Sequence, residues 1–179
     1  MIIKDLLSPL LLEHAKKKVH VLKQKYPYPG YLHPIYKDLR PQRIPEKNWM
    51  PEDMKDKKFF WSKISKLASK TLIDNLPYPV NIREQYLIYY PKNTLMHEHT
   101  DPAIAPYSTH WRVGIVIEQQ CVGGNLILEG QELAMNEGDA YIFKACTQLH
   151  AVTKIISGER LVFTMAAYAH ENNNLEEKT

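Results

Sequence analysis

All twelve prolines of the 179-residue chain lie at or before Pro106, whereas six of its seven glycines lie between Gly114 and Gly158. Proline fixes φ and removes a backbone donor, so the first region cannot build the interior of a sheet. Short apolar runs separated by glycine-bearing turns are what strands joined by tight connections require. The order predicts a helix-and-loop region followed by a β region.

In the first region Ser8 is placed to cap a helix with Pro9 at its first turn, and Leu11, Ala15, Val19 and Leu22 recur at helical spacing. This predicts an amphipathic helix from about Pro9 to about Lys25. Phe60, Ile64, Leu67, Ala68 and Thr71 predict a second helix, with Lys63, Lys66 and Lys70 on its other faces. The stretch between them holds six prolines and many aromatics, and is expected to wrap the molecule as an ordered loop. From about Arg83 the expected strands are REQYLIYY, WRVGIVI, GNLILE, AYIF, LHAV and RLVFTMAAY, with a turn at Ser157-Gly158 among those joining them. Strands at this spacing suggest a sandwich or jelly roll. The expected organisation is one domain, with a covering region over 1–80, a β core over 81–170 and a frayed tail over 171–179.

Charged residues at 24% and hydrophobic residues at 44% describe a folded, water-soluble chain. Cys121 and Cys146 are expected as buried, unbridged side chains. The N-terminal MIIKDLLSPLLL carries Lys4 and Asp5 within its apolar run, wrong for a signal segment and too short to span a membrane, so the cytoplasm is the expected compartment. Charge is uneven: residues 1–70 hold 16 Lys+Arg against 7 Asp+Glu, and residues 71–179 hold 7 against 13. The basic excess is read as the solvated face of the two helices, and no nucleic acid is expected as a partner.

The chemistry-bearing residues are His99-Thr100-Asp101, His150 and Arg160. Residues i and i+2 of a strand share a face, so His99 and Asp101 can reach one ion. Two histidines and one carboxylate are the smallest protein set that holds iron(II) on one face and leaves positions open. By alternation Arg160 shares a face with Val162, Thr164 and Ala166, where a charge requires an anion to meet it, and a guanidinium suits a carboxylate.

In these motifs, together with GG-x-L at Gly123, G-D-A-x-x-F at Gly138 and H-x-V…G-x-R, the chain from about Tyr86 to Tyr168 resembles the Fe(II)- and 2-oxoglutarate-dependent oxygenases, in particular prolyl 4-hydroxylase-like and PKHD-type hydroxylases. The resemblance implies a double-stranded β-helix with helices packed outside it. It implies His99, Asp101 and His150 as iron ligands, Arg160 as partner of the distal carboxylate of 2-oxoglutarate, and Tyr90 as a co-substrate contact. Tyr86 shares the face of Tyr90 by alternation. The family's glycine after that tyrosine is replaced here by Lys92-Asn93. The implied reaction consumes O2 and 2-oxoglutarate, hydroxylates an amino-acid substrate, free or peptidyl, and releases succinate and CO2.

His110, Arg112 and His97 are candidate substrate contacts, His97 being read as a rim histidine because a fourth protein ligand would fill a position that dioxygen or co-substrate needs. Two rival readings belong to other classes. A metal-binding cupin would not need Arg160, and the glutamate it requires is missing from TDPAIAPY. An AlkB-type nucleic-acid demethylase carries a second arginine six residues after the first, where this chain has Ala166.

Overall fold

The computed structural model describes residues 1–45 and 55–170; of Pro45 and residues 55–62 only the backbone is described. The tail expected to fray lies outside these residues, as does the side chain of Phe60.

Helix α1 (Pro9–Lys25) begins as predicted: Ser8 is extended at φ −61° and ψ 152°, and its hydroxyl accepts from Leu11 N at 3.4 Å. Ala15, Val19 and Leu22 are its buried stripe. Helix α2 (Lys55–Asn75) buries Ile64, Ala68 and Leu72, spaced by four, with half-buried Leu67 beside them.

The strands are β1 (Ile2–Ile3), β2 (Gln42–Pro45), β3 (Asn81–Tyr90), β4 (Met96–His99), β5 (Thr109–Val122), β6 (Leu126–Leu128), β7 (Gln131–Leu133), β8 (Ala140–Lys144), β9 (His150–Val152) and β10 (Ser157–Ala169). They form two antiparallel sheets, one in the order β1-β8-β5-β10-β3-β2 and one in the order β4-β9-β6-β7. The arrangement is the jelly roll expected from the strand spacing.

On β3, Tyr86 and Tyr90 face the space between the sheets, while Gln85, one residue along, accepts from Ser65 Oγ of α2 at 2.6 Å. Alternation therefore puts α2 on the outer face of the large sheet and leaves its inner face for a chamber.

Three expectations need correction. Residues 42–45 of the proline-rich stretch form an edge strand, with Gln42 opposite Tyr89 and Ile44 opposite Leu87. An edge tolerates Pro45 because one side of the strand needs no partner. Ser157-Gly158 is no turn but the start of β10, with Gly158 opposite Cys121. Gly158 has φ +74°, and a Cβ there would stand 1.9 Å from the Gln120 carbonyl, so glycine marks a close strand approach. Both cysteines are free but only half-buried. The departure at Lys92-Asn93 is also resolved, since Asn93 takes φ +72° and serves where glycine would.

Candidate metal centre

Strands β4 and β9 pair antiparallel with His99 directly opposite His150, and the ring centroids are 4.2 Å apart. Met96 stands opposite Val152, so three steps on β4 match two on β9, and β4 bulges between them. The bulge breaks the alternation that would have put His97 beside His99. His97 Nε2 instead lies 2.5 Å from Asp38 Oδ2, and its ring packs on Tyr36 at 4.0 Å. Asp101 lies beyond the end of β4, on a loop fixed by its N–H donating to the Ala145 carbonyl at 2.8 Å. His99 and Asp101 therefore meet without sharing a strand.

Each histidine is held the same way. His99 Nδ1 is 2.7 Å from the carbonyl of His97, and His150 Nδ1 is 3.0 Å from that of Gln148. A carbonyl only accepts, so Nδ1 carries the proton and the Nε2 lone pair is left for the chamber. His99 Nε2 lies 3.7 Å from Asp101 Oδ1, and His150 Nε2 lies 3.9 Å from Oδ2. One donor atom from each of His99, Asp101 and His150 falls within 4.8 Å of the others, close enough to share one ion.

Arg112, on β5, takes hold of the carboxylate: Nε and Nη2 donate to Asp101 Oδ2 at 3.0 and 2.7 Å, and Nη1 donates to the Tyr86 hydroxyl. Burial pushes the Asp101 carboxyl up, but the Arg112 guanidinium outweighs it and holds the group below the ordinary aspartate range. Burial also depresses His150, partly offset by its bond to Gln148. His110 stacks on Tyr168 at 4.6 Å, with Nδ1 3.2 Å from the Pro102 carbonyl. Burial, then the charge of Arg112, pushes its imidazole down to about 4, so it is neutral at neutral pH. Arg112 and His110, read from the sequence as substrate contacts, thus spend their polar atoms inside the protein.

Arg160 is 1% exposed and heads the fully buried side chains by volume. Its Nε donates to Gln119 Oε1 at 2.8 Å, and its guanidinium carbon sits 5.2 Å from the centroid of Tyr90, its partner across the ladder. Both terminal nitrogens are buried without a hydrogen-bond partner among the described residues. Leaving charged donors unsatisfied in a core is strongly destabilising, which marks the guanidinium as awaiting an anion. Tyr90 is 2% exposed, and burial raises its hydroxyl well above the ordinary tyrosine range.

The chamber between the sheets is lined by His99, Asp101 and His150 with Tyr86, Tyr90, Arg112, Tyr141, Thr164 and apolar side chains including Ile88, Leu126, Phe143 and Val152. Its free space is only about 30 Å³, so side chains must shift for anything larger than water. Past Arg43, Met96, His99 and Asp101, which line both, lies an outer cleft of about 550 Å³ walled also by Tyr31, Tyr36, Arg40 and His97.

Sequence reasoning missed four contributors. Gln119 anchors Arg160. Tyr141 fills the space above Gly114, where a Cβ would stand 2.1 Å from its ring, and this glycine was the available signal. Arg40 and Arg43 left no signal, because the proline-rich stretch that carries them, the edge strand β2 included, could not be placed from its sequence.

No protein-family model and no curated protein sequence matches the chain. Its structure is similar to that of the viral collagen prolyl hydroxylase of Paramecium bursaria Chlorella virus-1 in complex with 2-oxoglutarate, with TM-score 0.66 and 15% identity over 94% of this chain and 95% of that one. It is similar to a Pseudomonas putida prolyl-4-hydroxylase, with TM-score 0.62 and 16% identity over 96% and 92%. It is also similar to a Trichoplax adhaerens prolyl hydroxylase in complex with a peptide of the hypoxia-inducible factor, with TM-score 0.68 and 15% identity over 99% and 87%. At these identities the likeness is one of fold.

Proposed function

We propose that the protein is an Fe(II)- and 2-oxoglutarate-dependent dioxygenase that hydroxylates an unactivated C–H bond of an amino acid, free or within a peptide, and releases succinate and CO2. The observation that carries this reading is Arg160, whose two terminal nitrogens are buried without a partner among the described residues, against the Tyr90 wall of the chamber that holds His99, Asp101 and His150. A metal-binding jelly roll without an anionic co-substrate leaves that guanidinium unexplained.

His99 and His150 offer Nε2 to the ion, fixed by their Nδ1 bonds to backbone carbonyls. Asp101 offers Oδ1, because Arg112 occupies Oδ2 with two donors. Arg160 takes the distal carboxylate of 2-oxoglutarate, with the Tyr90 hydroxyl as a neutral donor beside it. Iron and 2-oxoglutarate, when bound, supply the oxidising chemistry by coupling dioxygen activation to decarboxylation. Ile88, Leu126, Phe143 and Val152 keep water from the reacting centre. Charge balance agrees, since Arg43 and Arg112 line the chamber and Arg160 lies against its Tyr90 wall, while Asp101 is the single carboxylate of the lining among the described residues.

Succinate release from 2-oxoglutarate, measured with added Fe(II), tests the reading together with metal content by elemental analysis. His99→Ala and Asp101→Ala are expected to lose both metal loading and succinate release. Full activity in the His99→Ala protein would overturn the assignment.

A further inference from the structure

The cleft outside the metal centre is basic in an unusual way. Elsewhere several cations of the first third find acids: Lys4 pairs with Asp139, Lys16 with Glu137, Lys17 with Glu13, and Lys23 with Glu118 and Glu159. Arg40 and Arg43, which line the cleft, meet no carboxylate among the described residues. Arg43 lies 5.1 Å from the centroid of the Tyr86 ring, at the boundary between chamber and cleft. Two nearby carboxylates are already engaged, Asp38 by His97 and Asp101 by Arg112. Glu98, which also lines the cleft, sets one carboxylate against Arg40 and Arg43. Among the described residues the two guanidinium groups therefore give the cleft a net positive charge, beside the aromatic walls of Tyr31 and Tyr36.

We propose that the substrate bears a carboxylate, and that Arg40 and Arg43 clamp it at the mouth so that the neighbouring C–H bond enters past Met96 towards His99 and Asp101. This rests on the oxygenase reading for the fate of that bond, but the clamp itself needs only the cleft. A planar guanidinium fork suits carboxylate geometry, and a cleft screens such a pair less than open water would. Tyr31 and Tyr36 offer apolar faces to the rest of the molecule. A carboxylate beside the reacting carbon occurs in a free amino acid, at a peptide C-terminus and in an acidic side chain, and all three present the same chemistry to the clamp.

The protein loaded with Zn(II) and 2-oxoglutarate, carrying ¹⁵N-labelled arginine, can be titrated with benzoylglycine and, separately, with its neutral amide, while the Nε–H resonances are followed by NMR. Benzoylglycine is expected to shift the Arg40 and Arg43 signals while the amide leaves them in place. Arg40→Gln or Arg43→Gln is expected to weaken the response of the remaining arginine at least tenfold. Equal shifts with acid and amide, or no shift with the acid at tens of millimolar, would overturn the clamp. A second arm compares free glutamate, a peptide with a free C-terminus and an amidated peptide with an internal glutamate, and the tightest binder identifies the source of the carboxylate. Failure of the oxygenase reading has its own signature: an Arg160 Nε–H signal that does not respond to 2-oxoglutarate.

Discussion

Arg112 lines the chamber and Arg160 lies against its Tyr90 wall, and their partners set the two guanidinium groups apart. Arg112 is saturated by Asp101 and Tyr86, so it positions a ligand instead of binding one. Replacing it with alanine frees the carboxylate to rotate and leaves it buried beside an empty space. We expect Fe(II) affinity to fall roughly 10- to 100-fold, the usual cost of losing a partner that orients a metal ligand. Elemental analysis after dialysis against a chelator reads this directly, and unchanged loading would show that the Asp101 loop is held by its backbone bond alone. For Arg160 the proposed function puts the lost interaction with the co-substrate. Arg160→Gln should raise the half-saturation concentration of 2-oxoglutarate by about 10- to 150-fold, corresponding to a charge-assisted bond of about 1.5 to 3 kcal/mol. Monocarboxylic 2-oxoacids should be affected much less, and an unchanged value for 2-oxoglutarate would assign its carboxylate to another cation.

Among the elements, the turn before β8 shows how the first residues are tied to the barrel. Asp139 is 1% exposed and accepts from the N–H groups of Asp5 at 3.0 Å and Asn136 at 2.8 Å, with Lys4 reaching in from solvent. Burial pushes its carboxyl up, but the Lys4 ammonium and the two backbone donors outweigh burial and hold it below the ordinary range. A carboxylate whose folded pKa is depressed stabilises the fold fully above its unfolded pKa of about 3.9, and that contribution is lost as pH falls through the folded value. Asp139→Asn should therefore cost roughly 1 to 3 kcal/mol at neutral pH and flatten the acid limb of the unfolding curve. A variant whose stability falls with acid as steeply as the parent's would place the titrating group elsewhere. The element scale also shows what the sequence could and could not reveal. Helix α1 was legible to the residue because a capping serine, a first-turn proline and a four-residue stripe agree. The longer strands were legible through their apolar runs. Strand β2 was hidden among prolines, because an edge strand is stabilised by its one neighbour, β3, and leaves little pattern of its own. The residues of the metal set were legible by type and order, yet their geometry was not. A bulge in β4 moves His97 away and leaves Asp101 on a loop, and bulges arise from pairing between distant strands.

For the whole molecule, the uneven charge proves to be an internal fit. Lysines of α1 close onto acids at the far end of the chain: Lys16 meets Glu137, and Lys23, 15% exposed, bridges Glu118 and Glu159. Glu159 in turn accepts from the Tyr89 hydroxyl at 2.6 Å. Lysines spent on internal acids in this way are not available to a polyanion. Turnover should depend weakly on ionic strength, whereas a protein neutralising several phosphates would lose about 10³-fold or more in affinity between low and physiological salt. A steep dependence, removed by Lys16→Gln, Lys17→Gln and Lys18→Gln together, would reopen a nucleic-acid substrate. The outer cleft carries a last consequence. Tyr31, Tyr36, Arg40 and Arg43 come from one short stretch ahead of α2, while His99, Asp101, Arg112, His150 and Arg160 come from strands and loops after it. On the proposed reading, the clamp and the metal set are thus written in separate passages of the chain, which meet where Met96 to Asp101 close the cleft. A descendant or an engineer could rewrite the former, keep the Asp38–His97 latch that fastens it, and obtain a new selectivity from an unaltered engine.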